Sequence, residues 1–179
     1  MFLLHQLDQT AKRIKSQLAN ALTLVNLCLG AFAIIFVIQN ELRIALLLIT
    51  IAALCDRLDG AAARKFNAVS SFGKQLDSLS DLVSFGVAPA FLIYQASLYL
   101  YGVPGMILTI FFILCGAIRL ARFNVTTPSY HFVGLPITAA GCILTLQLLI
   151  VPYFPPYFFM FSILILSILM ISTFKVRKV

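Results

Sequence analysis

Acidic side chains are scarce in this chain, with six Asp and Glu among 179 residues against 13 Lys and Arg. Tryptophan is missing, histidine occurs twice, and charged residues of both signs make up only 11%. So little charge excludes an ordinary soluble surface, since about a quarter of the residues in soluble domains are charged. The four cysteines (Cys28, Cys55, Cys115, Cys142) lie inside apolar runs without metal-type spacing. They read as small buried hydrophobes. There is no internal repeat and no low-complexity segment.

What the chain does have is hydrophobic residues, at 61%. Apolar stretches run near 20–38, 42–62, 74–97, 104–123, 134–152 and 156–174. Each is long enough for a helix to cross a hydrocarbon core of roughly 30 Å. The expected fold is therefore an all-α integral membrane protein of six transmembrane helices. No separate soluble domain is expected, and no cleavable signal pattern precedes the first span. Residues 3–18 place Leu4, Leu7, Ala11, Ile14 and Leu18 at helical spacing, with Lys12, Arg13 and Lys15 on other faces. That pattern predicts an amphipathic interfacial helix over residues 1–18, followed by a six-helix domain over 19–179.

Basic residues are retained on the cytoplasmic side of a membrane. Six spans put both termini on the side that also carries the second-to-third and fourth-to-fifth connections. That side holds every Lys and Arg except Arg43. The expected location is the cell's inner (plasma) membrane, multi-pass, with both termini cytoplasmic. The net charge of +7 follows from this bias, with attraction to anionic membrane lipid as a consequence. Nucleic acid is not an expected partner. Tyr94, Tyr99, Tyr101, Tyr153 and Tyr157 fall near the outer boundary, as an interfacial belt does.

Four of the six acidic residues (Asp56, Asp59, Asp77 and Asp81) fall within one short stretch, 56–81. Carboxylates beside hydrocarbon are costly, so such a cluster marks a functional site. Asp56 and Asp59 share one face at the end of the second span. Asp77 and Asp81, four apart, share a face near the start of the third. The connection between is short, so the two helices are antiparallel neighbours and the pairs can face each other on the cytoplasmic edge. Gly60, Ala63 and Gly73 are small enough to let backbones or a ligand approach. Four carboxylates in a stretch that itself contains no His or Cys select a hard cation, Mg²⁺ or Mn²⁺, and two divalent ions balance four negative charges. A purely structural network with Arg57, Arg64 and Lys74 needs fewer carboxylates than this. An ion path across the membrane needs carboxylates at the midplane instead of at one edge.

The pattern D-x-x-D-G-x-x-A-R-x₈-G-x-x-x-D-x-x-x-D resembles that of the CDP-alcohol phosphatidyltransferases. Asp56, Asp59, Gly60, Ala63, Arg64, Gly73, Asp77 and Asp81 fill its eight fixed positions. Residues 20–26 with Gly30, residues 80–89, the run Arg119–Asn124 and the run Phe132–Pro136 look similar to elements of the bacterial and archaeal phosphatidylserine synthases. Ala19 departs from the pattern, because relatives often have Pro there.

The resemblance implies transfer of a phosphatidyl group from CDP-diacylglycerol to an alcohol, here L-serine, with release of CMP. Sister enzymes use glycerol 3-phosphate or an inositol phosphate. It further implies metal held by Asp56, Asp59, Asp77 and Asp81, with Asp81 as general base. CDP-diacylglycerol would be bound by Asn26, Asp56, Gly60, Ala63, Arg64, Gly73 and Lys74. The serine carboxylate needs a cation, for which Arg119 and Arg122 are candidates, with Ser84 nearby. Relatives in the family are homodimers. A covalent route needs a nucleophile such as His, and only His5 and His131 exist, so direct displacement is expected.

Overall fold

Buried positions recur every three or four residues along the helices, and that spacing turns one face of each helix inward. The computed structural model describes the backbone of residues 2–65, 71–125, 131–172 and 175–177. Side chains are described for residue 17 and for 20–58, 71–125 and 134–172. Helix α1 (Phe2–Ile38) buries Thr23, Asn26, Gly30, Ala33 and Val37. Helix α2 (Leu42–Lys65) buries Ala45, Ile49 and Ala52, and the same spacing carries the stripe on to Asp56 and Asp59. Asp56 is thus the polar continuation of the inward face of α2.

The turn from α1 to α2 follows from Asn40, which adopts φ 64°. The Glu41 amide reaches back to the Phe36 carbonyl at 2.9 Å and the Asn40 amide to the Val37 carbonyl at 3.0 Å. This is a Schellman-type helix end, with Asn in the left-handed position.

Helix α3 (Ser71–Asp81) runs through a π-helical segment, Leu82–Val87, into α4 (Ala88–Ala96). After a short 3₁₀ turn, α5 (Val103–Val125) returns antiparallel to this span. It buries Gly105, Thr109, Phe112, Cys115, Gly116 and Leu120. Its opposite stripe, Ile107, Ile110, Leu114 and Ile118, is exposed, as a lipid-facing surface requires. Helix α6 (Ile137–Leu146) packs on α2, α4 and the π segment, and α7 (Pro156–Ile171) packs along α5. Tyr99, Tyr101, Tyr153 and Tyr157 are exposed at the end of the bundle away from the aspartates.

The protein is an all-α membrane protein. By length and composition Asn20–Ile38, Ser71–Ala96 and Val103–Val125 can each cross a membrane. The apolar helices Ile137–Ile150 and Pro156–Ile171 are shorter, about 21–24 Å at 1.5 Å per residue. The backbone of α1 continues without a break from the amphipathic segment into the first span. Two three-residue strands, β1 (His131–Val133) and β2 (Lys175–Arg177), pair antiparallel and bring the end of the chain beside the segment after α5. The periodicity of the sequence did not anticipate this ribbon, because three residues are too few to show alternation.

Hydroxyls buried in these apolar helices are satisfied within their own helix. Thr109 donates to the Gly105 carbonyl, Thr145 to Gly141 and Ser167 to Ile163. Helix α1 is joined differently to α3 and the π segment. Ser80 Oγ donates to the Thr23 carbonyl at 3.2 Å and Ser84 Oγ to the Asn26 carbonyl at 3.0 Å. Gly30 makes this approach possible, since a Cβ there would lie 2.8 Å from the Ser84 Cα. Gly30→Ala is therefore expected to cost about 1–3 kcal/mol of stability by overpacking. The drop would be read as a lower thermal midpoint in detergent, and an unchanged midpoint would show that the joint yields freely.

Candidate active site

The inward stripe of α2 and the first turns of α3 converge at one end of the bundle. Asp56 from α2 and Asp77 and Asp81 from α3 each offer a carboxylate oxygen, and these oxygens lie within 4.8 Å of one another. All three residues are partly buried. The i, i+4 spacing stacks Asp77 and Asp81 on one face of α3, and antiparallel packing brings Asp56 opposite. Asp59, Gly60, Ala63 and Arg64 belong to the last turns of α2, where their side chains lie outside the described residues. So do the side chains of Lys65 and His131 and all of residues 66–70.

Three carboxylates this close repel each other at partial burial unless a cation sits among them. Their oxygen-only donor set suits a hard divalent ion and not a soft one. Asp56, Asp77 and Asp81 therefore fit a divalent metal, and Asp59 is one turn from Asp56 on the same helix.

Asn26 lies on the inner stripe of α1 and is fully buried. Among the described residues neither atom of its side-chain amide has a hydrogen-bond partner. A buried amide in that state costs several kcal/mol on apolar-transfer scales, about 2–7. Arg119, on α5, is half-buried, and its Nε likewise lacks a partner among the described residues. Asp81 is its electrostatic counterpart. Arg122 points elsewhere, its Nη1 donating to the Ile171 carbonyl at 3.2 Å at the end of α7. A cation there satisfies the helix's last carbonyls and complements its dipole.

Two other expected site residues are occupied elsewhere. Ser84 is fully buried, with its hydroxyl committed to α1. The Lys74 ammonium donates to the Asn124 carbonyl at 3.3 Å and lies 5.3 Å from the centre of the Phe123 ring. Gly73, half-buried, precedes it by one residue at the start of α3.

The sequence reading missed three features. The π segment begins at the residue after Asp81, and such segments are frequent at functional sites. Cys142, read as a buried hydrophobe, lies within electrostatic reach of Asp56 and Arg57. Asn124 is the third. It closes a run already matched to relatives, but nothing in its spacing marked it as a partner of α3.

The model of the CDP-alcohol phosphatidyltransferase family matches residues 16–174. The chain belongs to the CDP-alcohol phosphatidyltransferase family. Among curated relatives, the CDP-diacylglycerol–serine O-phosphatidyltransferase of Bacillus subtilis is 39% identical over 126 residues, 70% of this chain and 71% of that protein. The enzyme of the same name from Helicobacter pylori J99 is 39% identical over 134 residues, 73% of this chain. The matched region is 56% of that relative's length, so the chain spans little more than half of it. The archaetidylserine synthase of Methanothermobacter thermautotrophicus is 37% identical over 176 residues, 94% of this chain and 73% of that protein. The matched region thus covers both halves of the aspartate cluster and the helices around it.

Proposed function

We propose that this protein transfers the phosphatidyl group of CDP-diacylglycerol to L-serine, releasing CMP. The observation that carries the reading is the convergence of Asp56, Asp77 and Asp81 within the full family motif. The relatives named as serine transferases support the choice of acceptor.

The chemistry is a direct displacement at phosphorus. The serine hydroxyl oxygen forms a bond to the lipid-bearing phosphorus as the bond from that phosphorus to the CMP oxygen breaks. Asp81 accepts the hydroxyl proton. The other aspartates would hold the divalent ion (Mg²⁺ or Mn²⁺, two with Asp59 included), which would supply charge neutralisation for the diphosphate and the departing CMP. Asn26 offers its unsatisfied amide to the nucleotide from α1. Gly60, Ala63, Arg64 and Gly73 complete the donor site. Arg119 meets the serine carboxylate, since its Nε has no hydrogen-bond partner among the described residues while Arg122 caps α7. Arg119→Gln is expected to raise the KM for serine about tenfold or more, the cost of losing a charge-assisted hydrogen bond.

The reaction is placed at the cytoplasmic edge of the inner membrane, with six crossings, both termini inside and residues 1–18 along the membrane surface. The basic residues on the inner connections support that orientation, and the family resemblance supports a homodimer. The test is an acceptor panel on purified protein with CDP-diacylglycerol. Serine should release CMP in a metal-dependent way, and glycerol 3-phosphate and inositol phosphate should not. Turnover of glycerol 3-phosphate alone would overturn the serine assignment, and silence with every alcohol would overturn the enzyme reading.

A further inference from the structure

Helices α3 and α5 carry different parts of the proposed site, with Asp77 and Asp81 on one and Arg119 on the other. Asn124, one residue before the end of α5, ties the two together. Its side-chain amide donates to Ser78 Oγ at 2.9 Å and to Gln75 Oε1 at 3.3 Å. The Ser78 hydroxyl in turn lies 3.3 Å from Asn124 Oδ1 and 3.1 Å from the Lys74 carbonyl of its own helix. The Asn124 backbone carbonyl accepts from Lys74 Nζ at 3.3 Å. Both ends of the side chain and the main chain of one residue are thus held by three residues of α3, the part-buried Lys74 and Ser78 and the exposed Gln75.

The register gives this latch its meaning. The helices are antiparallel, so stepping from Ser78 to Asp81 on α3 runs alongside stepping back from Asn124 to Arg119 on α5. At 1.5 Å per residue these steps are about 4.5 and 7.5 Å. The latch therefore sits roughly one turn from the level of Asp81 and Arg119, which interact electrostatically. Among the described residues no hydrogen bond links it to the side chain of Asn26, which serves the lipid donor from α1. We infer that Asn124 is a positioning residue, which through Ser78 sets the distance between the proton acceptor Asp81 and the acceptor-binding Arg119. Its loss loosens the hold on the alcohol and leaves the hold on CDP-diacylglycerol in place. The inference rests on the proposed transfer reaction and deepens it.

The test compares steady-state constants of the purified protein for both substrates, using whichever alcohol the wild type turns over. Asn124→Leu, close in size and without hydrogen-bonding groups, is expected to raise the acceptor KM about tenfold or more, as displacements of about 1 Å do. The KM for CDP-diacylglycerol should stay within about twofold. Ser78→Ala should shift the acceptor KM in the same direction, and the double variant should be no worse than Asn124→Leu, because both remove one coupled unit. Asn124→Asp should recover most of the loss, since its carboxylate accepts from Ser78, from a turned Gln75 amide and from Lys74. If Asn124→Leu does not fold, Ser78→Ala and Asn124→Asp carry the same comparison. An active wild type whose acceptor KM is indifferent to these changes overturns the latch alone. Equal losses for both substrates with a lowered thermal midpoint overturn it in favour of simple stabilisation. A wild type that releases CMP with no alcohol overturns the reaction and the inference together.

Discussion

Asp81→Asn should lower CMP release by about 10²–10⁴-fold, the range that a positioned general base contributes. The amide keeps the shape of the carboxylate but has no basic oxygen, so the serine hydroxyl keeps its proton as it approaches phosphorus. Asp81 also sits within the carboxylate cluster, so a loss of metal could mimic a loss of base. The two are separated by raising the metal concentration. A missing base is not restored at any Mg²⁺ level, whereas a weakened site recovers. The measurement is CMP release by the purified variant across a metal titration, with the thermal midpoint as a check on folding. Activity within about threefold of wild type would remove Asp81 from the proton's path.

Stripping divalent metal should have an effect of the same order. Asp56, Asp77 and Asp81 place three negative charges within 4.8 Å, and the donor's diphosphate would bring more into the same space. Without a cation, that like-charge repulsion opposes donor binding and departure of CMP alike. Chelation by EDTA is expected to reduce turnover to background, and Mg²⁺ or Mn²⁺ to restore it. Asp56→Asn should raise the metal concentration needed for half-restoration by at least the 10–100-fold typical of changes around a metal site. The readout is CMP release against free metal concentration. Full turnover in EDTA would falsify the metal-assisted reading and leave the aspartates a different task.

These two residues also show why part of the site was legible in one dimension. Asp56 continues the Ala45–Ile49–Ala52 stripe, and Asp81 follows Asp77 at i+4. Helical period alone therefore predicts which way each points, and the short connection forces the two helices to be neighbours. Hydrophobicity placed the chain in a membrane for a similar reason, because the length of an apolar run is a local property. The eight fixed motif positions determined the family. None of this needed a contact between distant residues.

Tertiary structure decided what the remaining polar residues do. Arg119 and Arg122 are three apart on one helix and look equivalent in sequence, yet one interacts electrostatically with Asp81 and the other caps α7. Lys74 and Ser84, each a plausible ligand by position, are committed to α5 and α1. Asn124 drew no attention until its amide met Ser78. In each case the partner lies about 40 to 60 residues away, and the choice depends on the relative register and rotation of two packed helices. Period and spacing describe a single helix and carry no information about that register. The sequence by itself therefore determined the membrane class, the family and the aspartate cluster. Only the packing of α1, α3, α5 and α7 decided which polar groups remain available to a substrate.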